Sequence, residues 1–448
     1  MALGIIGSFA ATAVADDSSA LIDALVKKGV LKTKEAEQIR AQIAKSGSHS
    51  SAGKLDLDSS VKSLALSGDV RVRYNYGSAK GLDSTVPTDN VHESNYELRL
   101  RINADYKLSD DFFAGFGLRT GNNALDDNTK MANQLGDHGI GIHRAFLGWT
   151  PTPGVTLIAG KQANPFYTTD LVWDEDINPS GFSQKIDLNK TLGVSGIDLT
   201  LVSGQFVVTD NREYLADDHL NRDAFIWQTQ LVAGIDLGGG AKLTVAPGYF
   251  STNGAALDSN RYLDINGDST DDITKADGYV VGPPPVTTGV VYNYSNGLND
   301  VQVLLLPGDI SGEVAGIKAK FEWDFAYNFA GRDRSLYNEG VRNPRSADKL
   351  SWLLGVRLGE NKKKGDWSAQ LNYRRIGVGS TPGLNDNEFA FGQTNMQGVK
   401  VGAAYNIGDA ATFGVNYFHF DQTRSEGDYK NIGFDKGELL QVEVGVKF

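Results

Sequence analysis

The sequence predicts an all-β protein, a transmembrane antiparallel β-barrel of about 16 strands preceded by a short N-terminal helical segment. Three observations lead to this prediction. Polar and apolar residues alternate along one short segment after another from Leu64 onward, and the connections between those segments alternate between short and long. Gly (52 of 448 residues) and aromatic residues (10%) also exceed ordinary usage. Beyond the N-terminus, no apolar run approaches the ~20 residues that a membrane-spanning helix requires.

The charge and cysteine content narrow the range of functions. With 43 Lys and Arg against 55 Asp and Glu the net charge is −12, which argues against a nucleic-acid partner. The chain contains no Cys, which excludes disulfides, thiolate zinc sites, iron–sulfur clusters and haem attached through cysteine. We therefore expect no metal and no cofactor.

Residues 1–15 have features of a secretory signal peptide. An apolar stretch ends in Ala13-Val14-Ala15, which fits the small-residue cleavage site of such signals. No Lys or Arg precedes Lys27, so the basic region is missing and we expect the signal to be incomplete. A short buried helix is the alternative interpretation.

The pattern of residues 16–60 predicts a periplasmic helical segment followed by a linker. Ser18 and Thr33 can each cap a short amphipathic helix, and a run rich in Ser and Gly follows. Two such helices cannot bury a core alone. The segment is either a module that self-associates or touches the cell wall, or a spacer without a function of its own. The barrel is predicted over residues 61–448.

Residues 96–107 show the strand pattern most clearly. Apolar or aromatic residues alternate there with polar or charged ones, as expected of a strand with lipid on one side and water on the other. Tyr96 and Tyr106 stand at the two ends of the apolar face, ~33 Å apart along the strand at ~3.3 Å per residue. Tilted by ~40°, such a strand spans ~25 Å, the height of an outer-membrane apolar band bounded by aromatic girdles.

The connections between the predicted strands follow a regular order of lengths along the chain. The strands are predicted at 64–76, 94–107, 111–120, 140–150, 154–162, 184–191, 198–209, 222–237, 241–251, 298–307, 314–330, 349–359, 366–377, 394–407, 410–420 and 438–448. Short turns alternate with long loops, as in outer-membrane barrels, whereas a soluble sandwich has no reason to keep this alternation. An even strand number places both ends of the barrel on the periplasmic side. Strands 6, 7 and 10 are the least regular, so 14 or 18 strands remain open.

The last strand supports the same fold. Val442, Val444 and Val446 alternate with polar or small residues, and the chain ends on Phe448. A terminal strand that closes on Phe resembles the signal by which assembly machinery recognises bacterial outer-membrane proteins.

Several stretches resemble the bacterial "putative porin" family of outer-membrane β-barrel proteins. The resemblance is densest over residues 64–190, and its most specific element is a Val-Trp-Asp stretch. The stretches lie at 67–74, 98–102, 116–121, 159–161, 164–166, 171–176 and, further on, 324–328. The resemblance implies a passive diffusion channel that forms a homotrimer, but it implies no particular solute.

A barrel of this size leaves a water-filled channel lined by the polar faces of its strands. By alternation, six arginines on the first four strands face this channel: Arg71, Arg73, Arg99, Arg101, Arg119 and Arg144. The third long loop, 163–183, carries Asp170, Asp174, Glu175 and Asp176. In porins, which the sequence resembles, this loop commonly folds into the pore.

We therefore expect the arginines and the acidic residues Asp174, Glu175 and Asp176 to line a constriction. A basic wall opposite an acidic loop would filter solutes by charge and dipole. Alternatively, neighbouring carboxylates neutralise the arginines, and selectivity is set elsewhere; the candidates are Asp69, Glu97 and Asp105. The ion preference stays open, because the wall is basic whereas the long loop around residues 264–272 is acidic.

The predicted function is passive diffusion of small hydrophilic solutes and ions across the outer membrane of a Gram-negative-type bacterium. The expected partners are the lipid bilayer, lipopolysaccharide, these solutes and two further copies of the chain. We predict no enzymatic activity and no catalytic residue. One alternative is a structural barrel, or a sheath around another protein. Another is an outer-membrane protease that uses Asp217-Asp218-His219. Residues 264–272 also resemble a calcium loop, although their spacing departs from the EF-hand pattern.

Overall fold

The computed structural model describes residues 61–81, 90–121, 126–132, 136–209, 224–253, 301–335, 341 and 343–448, together with Lys27 and Glu37. The chain divides into two units, Met1–Ser59 and Ser60–Phe448. Lys27 and Glu37, which are helical and exposed, are the described residues of the first unit. The predicted signal peptide and linker, the Asp217-Asp218-His219 stretch and the acidic loop 264–272 lie outside the described residues and stay predictions.

Sixteen strands make up most of the described part of the second unit. They are β1 Ser63–Lys80, β2 Val91–Lys107, β3 Phe112–Thr120, β4 Ile140–Thr152, β5 Val155–Lys161, β6 Ser180–Asp187, β7 Asp198–Thr209, β8 Ala224–Gly238, β9 Ala241–Val245 with Gly248–Asn253, β10 Gln302–Leu305 with Gly308–Val314, β11 Ile317–Asn328, β12 Leu350–Gly359, β13 Trp367–Ile376, β14 Met396–Asn406, β15 Ala411–Gln422 and β16 Lys436–Lys447.

The connections carry only short elements. A two-residue strand, Thr129–Lys130, pairs with β2. The helices of the described connections are α1 Leu188–Leu192 and α2 Gly331–Asp333, and 3-10 turns lie at Ser346–Lys349, Ala390–Gly392 and Gly427–Asn431. No helix in the described part of the chain is long and apolar enough to cross a membrane.

The strands form one closed antiparallel sheet. Each strand pairs with the next along the chain, and β16 returns to pair with β1, where Val444 lies opposite Val72. At this seam Gly68 N donates to Phe448 O (2.9 Å) and Phe448 N donates to Gly68 O (3.0 Å), so the terminal aromatic residue completes the closure. The predicted barrel of about 16 strands is therefore confirmed.

Two predicted strands are offset from the observed ones. Strand 6, predicted at 184–191, is β6 and ends at Asp187, because the Asp187 side chain accepts a hydrogen bond from Lys190 N (3.1 Å) and caps α1. Strand 10, predicted at 298–307, continues to Val314. Pro307 only interrupts β10, since its missing N–H removes a single bond from the ladder.

The short connections lie at one end of the barrel and the long loops at the other, as predicted. The turn from β8 to β9 is built from Gly238, Gly239 and Gly240, whose φ angles of 80°, 61° and 81° suit glycine alone. Three of the long loops are named L2 (121–139), L3 (162–179) and L7 (377–395), in their order along the chain.

The outward face of the barrel is apolar between two aromatic girdles. At the turn end, Phe112 stacks on Trp149 with ring centroids 5.9 Å apart, and at the loop end Tyr74 packs on Tyr96 at 4.9 Å. The inward face carries the charged residues, which are largely buried by the loops that fold over them. This is the arrangement expected of a strand barrel in lipid.

Candidate functional site

L3 folds into the barrel because its middle is apolar. Leu171, Val172 and Trp173 are at most 2% exposed. The Trp173 indole N–H donates to Gln228 Oε1 on β8 (2.8 Å), and its ring packs against Phe250 on β9, with centroids 5.8 Å apart. Burial of such side chains contributes about 2 kcal/mol each. An outward-pointing loop would leave them in water.

Main-chain and side-chain groups of the first part of L3 form hydrogen bonds with the walls at β8, β10 and β11. Tyr167 N donates to Gln230 Oε1 and Tyr167 O accepts from Gln230 Nε2, both at 2.8 Å. The Tyr167 hydroxyl also donates to Asp309. The Thr169 hydroxyl donates to Asp324 Oδ2 at 2.7 Å. L3 begins after β5, so these bonds hold it well inside the barrel.

L3 is also joined to L7 and to the wall at β13 and β14. Asp170 Oδ2 lies 3.2 Å from Lys400 Nζ and 3.4 Å from Arg374 Nη2. Asp174 N donates to Leu384 O at 2.6 Å, and Asp174 Oδ2 accepts from Asn387 N at 3.0 Å. L3 and L7 thus form one connected structure within the barrel.

The end of the acidic stretch reaches the arginines of β2 and β3. Asp176 Oδ1 lies 3.8 Å from Arg101 Nη1 and 4.0 Å from Arg99 Nη1, and Asp176 O accepts from Arg119 Nη1 at 3.4 Å. Asp176 Oδ2 accepts from the backbone N–H of Asp127 on L2 at 3.1 Å. L2 and L3 therefore cover this part of the basic wall together.

The arginines of β2 and β3 have further acidic partners on the wall and on L2. Asp69 lies between Arg99 Nε (2.9 Å) and Arg101 Nε (2.7 Å). Asp127 pairs with Arg101 at 3.1 Å and with Arg119. The side chains of Arg99 and Arg119 are each only 7% exposed, so they contact carboxylates rather than open water.

The arginines of β1 are paired with the last strand and with L7. Arg73 Nε lies 3.0 Å from Glu443 on β16, and the Arg73 guanidinium also pairs with Glu388 on L7. Arg71 Nη2 donates to Asn128 Oδ1 at 2.8 Å, and its Nη1 lies 3.5 Å from Glu443.

Arg144 stands apart from this network. It pairs with Asp105 and lies over the Phe146 ring, 5.2 Å from its centroid. Five of the six predicted arginines thus belong to one network with L2, L3 and L7, whereas Arg144 lies outside it. Carboxylates of the wall and carboxylates of the loops both take part in neutralising the arginines.

Glu175 differs from its acidic neighbours. Its side chain is exposed, and it forms no ion pair among the described residues. It lines a small cleft between L3 and L7 together with Asp174, Asp386, Glu388 and Lys400. It is therefore the carboxylate of L3 that is available to mobile ions or solutes.

Crowded carboxylates set the protonation behaviour of the two loops. Burial, then the neighbouring Asp176 and Asp386, raise the pKa of Asp174. Burial also favours a raised pKa for Asp170 and Glu388, but Lys400 and Arg374 hold the pKa of Asp170 below its ordinary value, and Arg73, Lys400 and Arg71 lower that of Glu388 to about 2. Asp170 and Glu388 therefore stay ionised where L3 and L7 touch the basic side chains of the walls.

The sequence reasoning missed most of the partners from the second half of the chain. They are Arg374, Asp386, Glu388, Lys400 and Glu443, and Asp127 on L2, in the first half, was missed as well. Lys400 lies between Val399 and Val401, and the same alternation that placed the arginines could have placed it on the inward face. The loop residues lack such a pattern. Within the described residues, no group of three or more His, Asp or Glu is arranged to hold a metal ion.

Two solved structures of outer-membrane proteins align with most of the chain. OmpF of Salmonella typhi in complex with daunomycin aligns over 88% of this chain and 100% of its own, with 12% identity and a TM-score of 0.46. A loop L8 deletion mutant of OmpT, an outer membrane protein of Vibrio cholerae, aligns over 86% and 99%, with 12% identity and a TM-score of 0.43. Both TM-scores lie below 0.5, so we draw no conclusion from them. No curated protein sequence matches the chain.

A family comparison, by contrast, covers most of the barrel. The model described as "Putative porin" matches residues 75–276 and 307–444, and this exceeds half of the chain. The match includes the arginines of β2 and β3, L3, the loop end of β1 and most of β16. The chain therefore belongs to the family described as "Putative porin" and is a multi-pass β-barrel porin of the outer membrane.

Proposed function

We propose that this porin lets small hydrophilic solutes and ions diffuse passively through a water-filled pore that L3 narrows. One observation carries the proposal. L3 leaves the wall at β5 and is bonded to Asp324 on β11, to Lys400 on β14 and to Arg101 on β2. A loop held by strands on several sides of the lumen reduces its cross-section at that level.

The charges at this level support filtering of the solutes. Arg71, Arg73, Arg99, Arg101 and Arg119 line one wall, where carboxylates of the wall and of the loops pair with them. Asp174, Asp176 and the exposed Glu175 lie on the crossing loop. Arg144 extends the basic wall toward the turn end. In a confined pore such charges act on a passing ion more strongly than they would in bulk water.

The environment of the porin completes the proposal. The apolar belt between the girdles faces lipid, and the loop end faces the outer leaflet, where lipopolysaccharide is the neighbouring lipid. We further propose that the protein assembles as a homotrimer, as its family resemblance implies.

Single-channel recording tests the proposal. The purified protein is inserted into a planar bilayer, and current is recorded first in symmetric salt and then in a salt gradient. We expect stepwise openings and a reversal potential that reports charge selectivity. A folded barrel that carries no current would contradict the proposal and favour a structural barrel or a sheath around another protein. Cleavage of a basic peptide by the same preparation would favour the protease alternative.

A further inference from the structure

The outward face of the barrel carries four polar side chains in the middle of its apolar band. They are Gln184 on β6, Ser203 and Gln205 on β7, and Thr229 on β8, and we call them the polar patch. Residues next to them along each strand point inward, and Ser183, Val202 and Gln228 among them are buried, at 3%, 2% and 2% exposure.

The strand register locates the patch at the centre of the membrane. One row of outward positions runs across neighbouring strands through Phe112, Trp149, Leu157, Gln184, Ser203, Thr229, Tyr249, Leu304 and Tyr327. Phe112 begins β3 at the turn end, and Tyr327 lies one residue before the loop end of β11. Because barrel strands are tilted, such a row rises from one interface to the other. The polar positions are the middle three of its nine.

The three polar members of this row differ in character from all the others. The other six members are apolar or aromatic, and their exposure to the outside reaches 42% for Trp149 and 47% for Leu304. Lipid tails offer no hydrogen bonds, so polar side chains on a lipid-facing surface at this depth are unfavourable. Gln184 and Gln205 are therefore poorly suited to contact with lipid.

The patch satisfies only part of its own hydrogen-bonding capacity. Gln184 Nε2 donates to Gln205 Oε1 at 3.0 Å, with the reciprocal contact at 3.5 Å. The hydroxyls of Ser203 and Thr229 are 3.1 Å apart. A glutamine amide has two N–H donors and a carbonyl with two lone pairs. Each amide therefore keeps a donor and an acceptor for a partner outside the barrel.

Resting on the homotrimer proposed above, we propose that β6, β7 and β8 form the surface through which this porin binds other copies of itself. The patch is uncharged and contains donors and acceptors in similar numbers, so it can pair with the same patch of other copies that meet around a shared symmetry axis. Phe182, Leu201 and Leu231 surround the patch on the outward face and would pack against the other barrel. Apolar packing around a few polar contacts is the usual composition of protein contacts within membranes.

Cysteine crosslinking tests the assignment, since the chain contains no cysteine of its own. Ser203→Cys and Gln205→Cys are each expressed in the full-length protein, checked for folding by heat-modifiable gel mobility, and treated with a bismaleimide in native outer membranes. Val401→Cys on β14, which is outward and 45% exposed, is the matched control on the far wall. Because each chain carries a single thiol, we expect a product of twice the monomer mass from the β7 variants and a monomer from the control.

Three results would overturn the proposal. They are monomers from both β7 variants, equal crosslinking of the Val401 control, and a product whose mass shows that another protein occupies the surface. In a second measurement, Gln184→Leu with Gln205→Leu should convert the oligomer to folded monomers in mild detergent. An unchanged oligomer would also contradict the interface. Conductance of the same preparations reports the proposed function separately.

Discussion

Lys400 on β14 and Asp170 on L3 form an ion pair inside the barrel, with Nζ 3.2 Å from Oδ2. The Lys400 side chain is 12% exposed, and its Nζ also lies 3.9 Å from Asp386 on L7. One ammonium group thus holds both inward loops against the same wall.

Replacement of Lys400 by Met should therefore loosen L3 and L7. Removal of one partner of a buried ion pair leaves Asp170 and Asp386 with Arg374 as their remaining cation, which we expect to lower the unfolding free energy by about 3 kcal/mol. The measurements are the heat-modifiability midpoint and the single-channel noise, which should increase. Lys318→Met is the control, because its partner Glu313 is exposed at a turn. Equal effects of the two variants would contradict a role in holding the loops.

The apolar part of L3 should be as important as its charges. Trp173→Ala removes a buried indole, and we expect a loss of about 3–5 kcal/mol. We also expect a larger and less uniform conductance, because the loop loses its contacts with Gln228 and Phe250. Trp173→Phe keeps a ring at this position and should have a smaller effect in both measurements. A wild-type conductance for Trp173→Ala would show that L3 does not narrow the pore.

Glu175 should affect selectivity without affecting stability. Its side chain is exposed and unpaired among the described residues, so Glu175→Gln should shift the reversal potential toward anions and change the unfolding free energy by less than about 0.5 kcal/mol. Glu360→Gln, in the turn between β12 and β13 at the other end of the barrel, should shift neither quantity. The measurement is the reversal potential in a salt gradient. An unchanged reversal potential for Glu175→Gln would show that Glu175 does not lie in the permeation path.

Reversal of charge in the arginine network should act in the opposite direction. Arg99→Glu with Arg101→Glu makes the basic wall acidic, and we expect a lower anion-to-cation permeability ratio. The control reverses Lys362 and Lys364, which are exposed in a short turn. An unchanged reversal potential in the first variant would mean that the arginines are structural and that selectivity is set elsewhere.

Asp126 on L2 should make stability depend on pH. Burial, then the nearby Glu97, raise its pKa from 3.8 to about 7. Between these values the folded state binds a proton that the unfolded chain has released, so this carboxyl lowers stability as pH rises to about 7, and its contribution is constant above that.

At pH values above 7, Asp126→Asn should therefore raise the midpoint temperature of unfolding. At pH values below 7, the same variant should show a weaker dependence of this midpoint on pH. Asparagine keeps the side-chain oxygen that accepts from Asn128 N at 2.8 Å. Asp110→Asn, at an 82% exposed position, should keep the wild-type pH profile. A wild-type profile in Asp126→Asn would assign the dependence to other groups.

Local patterns in the sequence predict the features that repeat along the chain. Alternation along a strand follows from backbone geometry, which turns successive side chains to opposite faces. This periodicity alone places Arg71, Arg73, Arg99 and Arg101 on the inward face. The parity of short and long connections likewise predicted the barrel and its strand number, although a capping Asp187 and an interrupting Pro307 shifted two strands.

Which groups meet inside the barrel depends on how the strands close and the loops fold. Glu443 lies beside Arg71 and Arg73 because β16 closes onto β1, and Lys400 meets Asp170 because L3 folds inward. The hydrogen-bonded rows that bring Gln184 and Gln205 together on the outside also depend on strand register. Alternation specifies a face but not a neighbour, since the neighbour is set by closure and by the packing of loops distant in sequence.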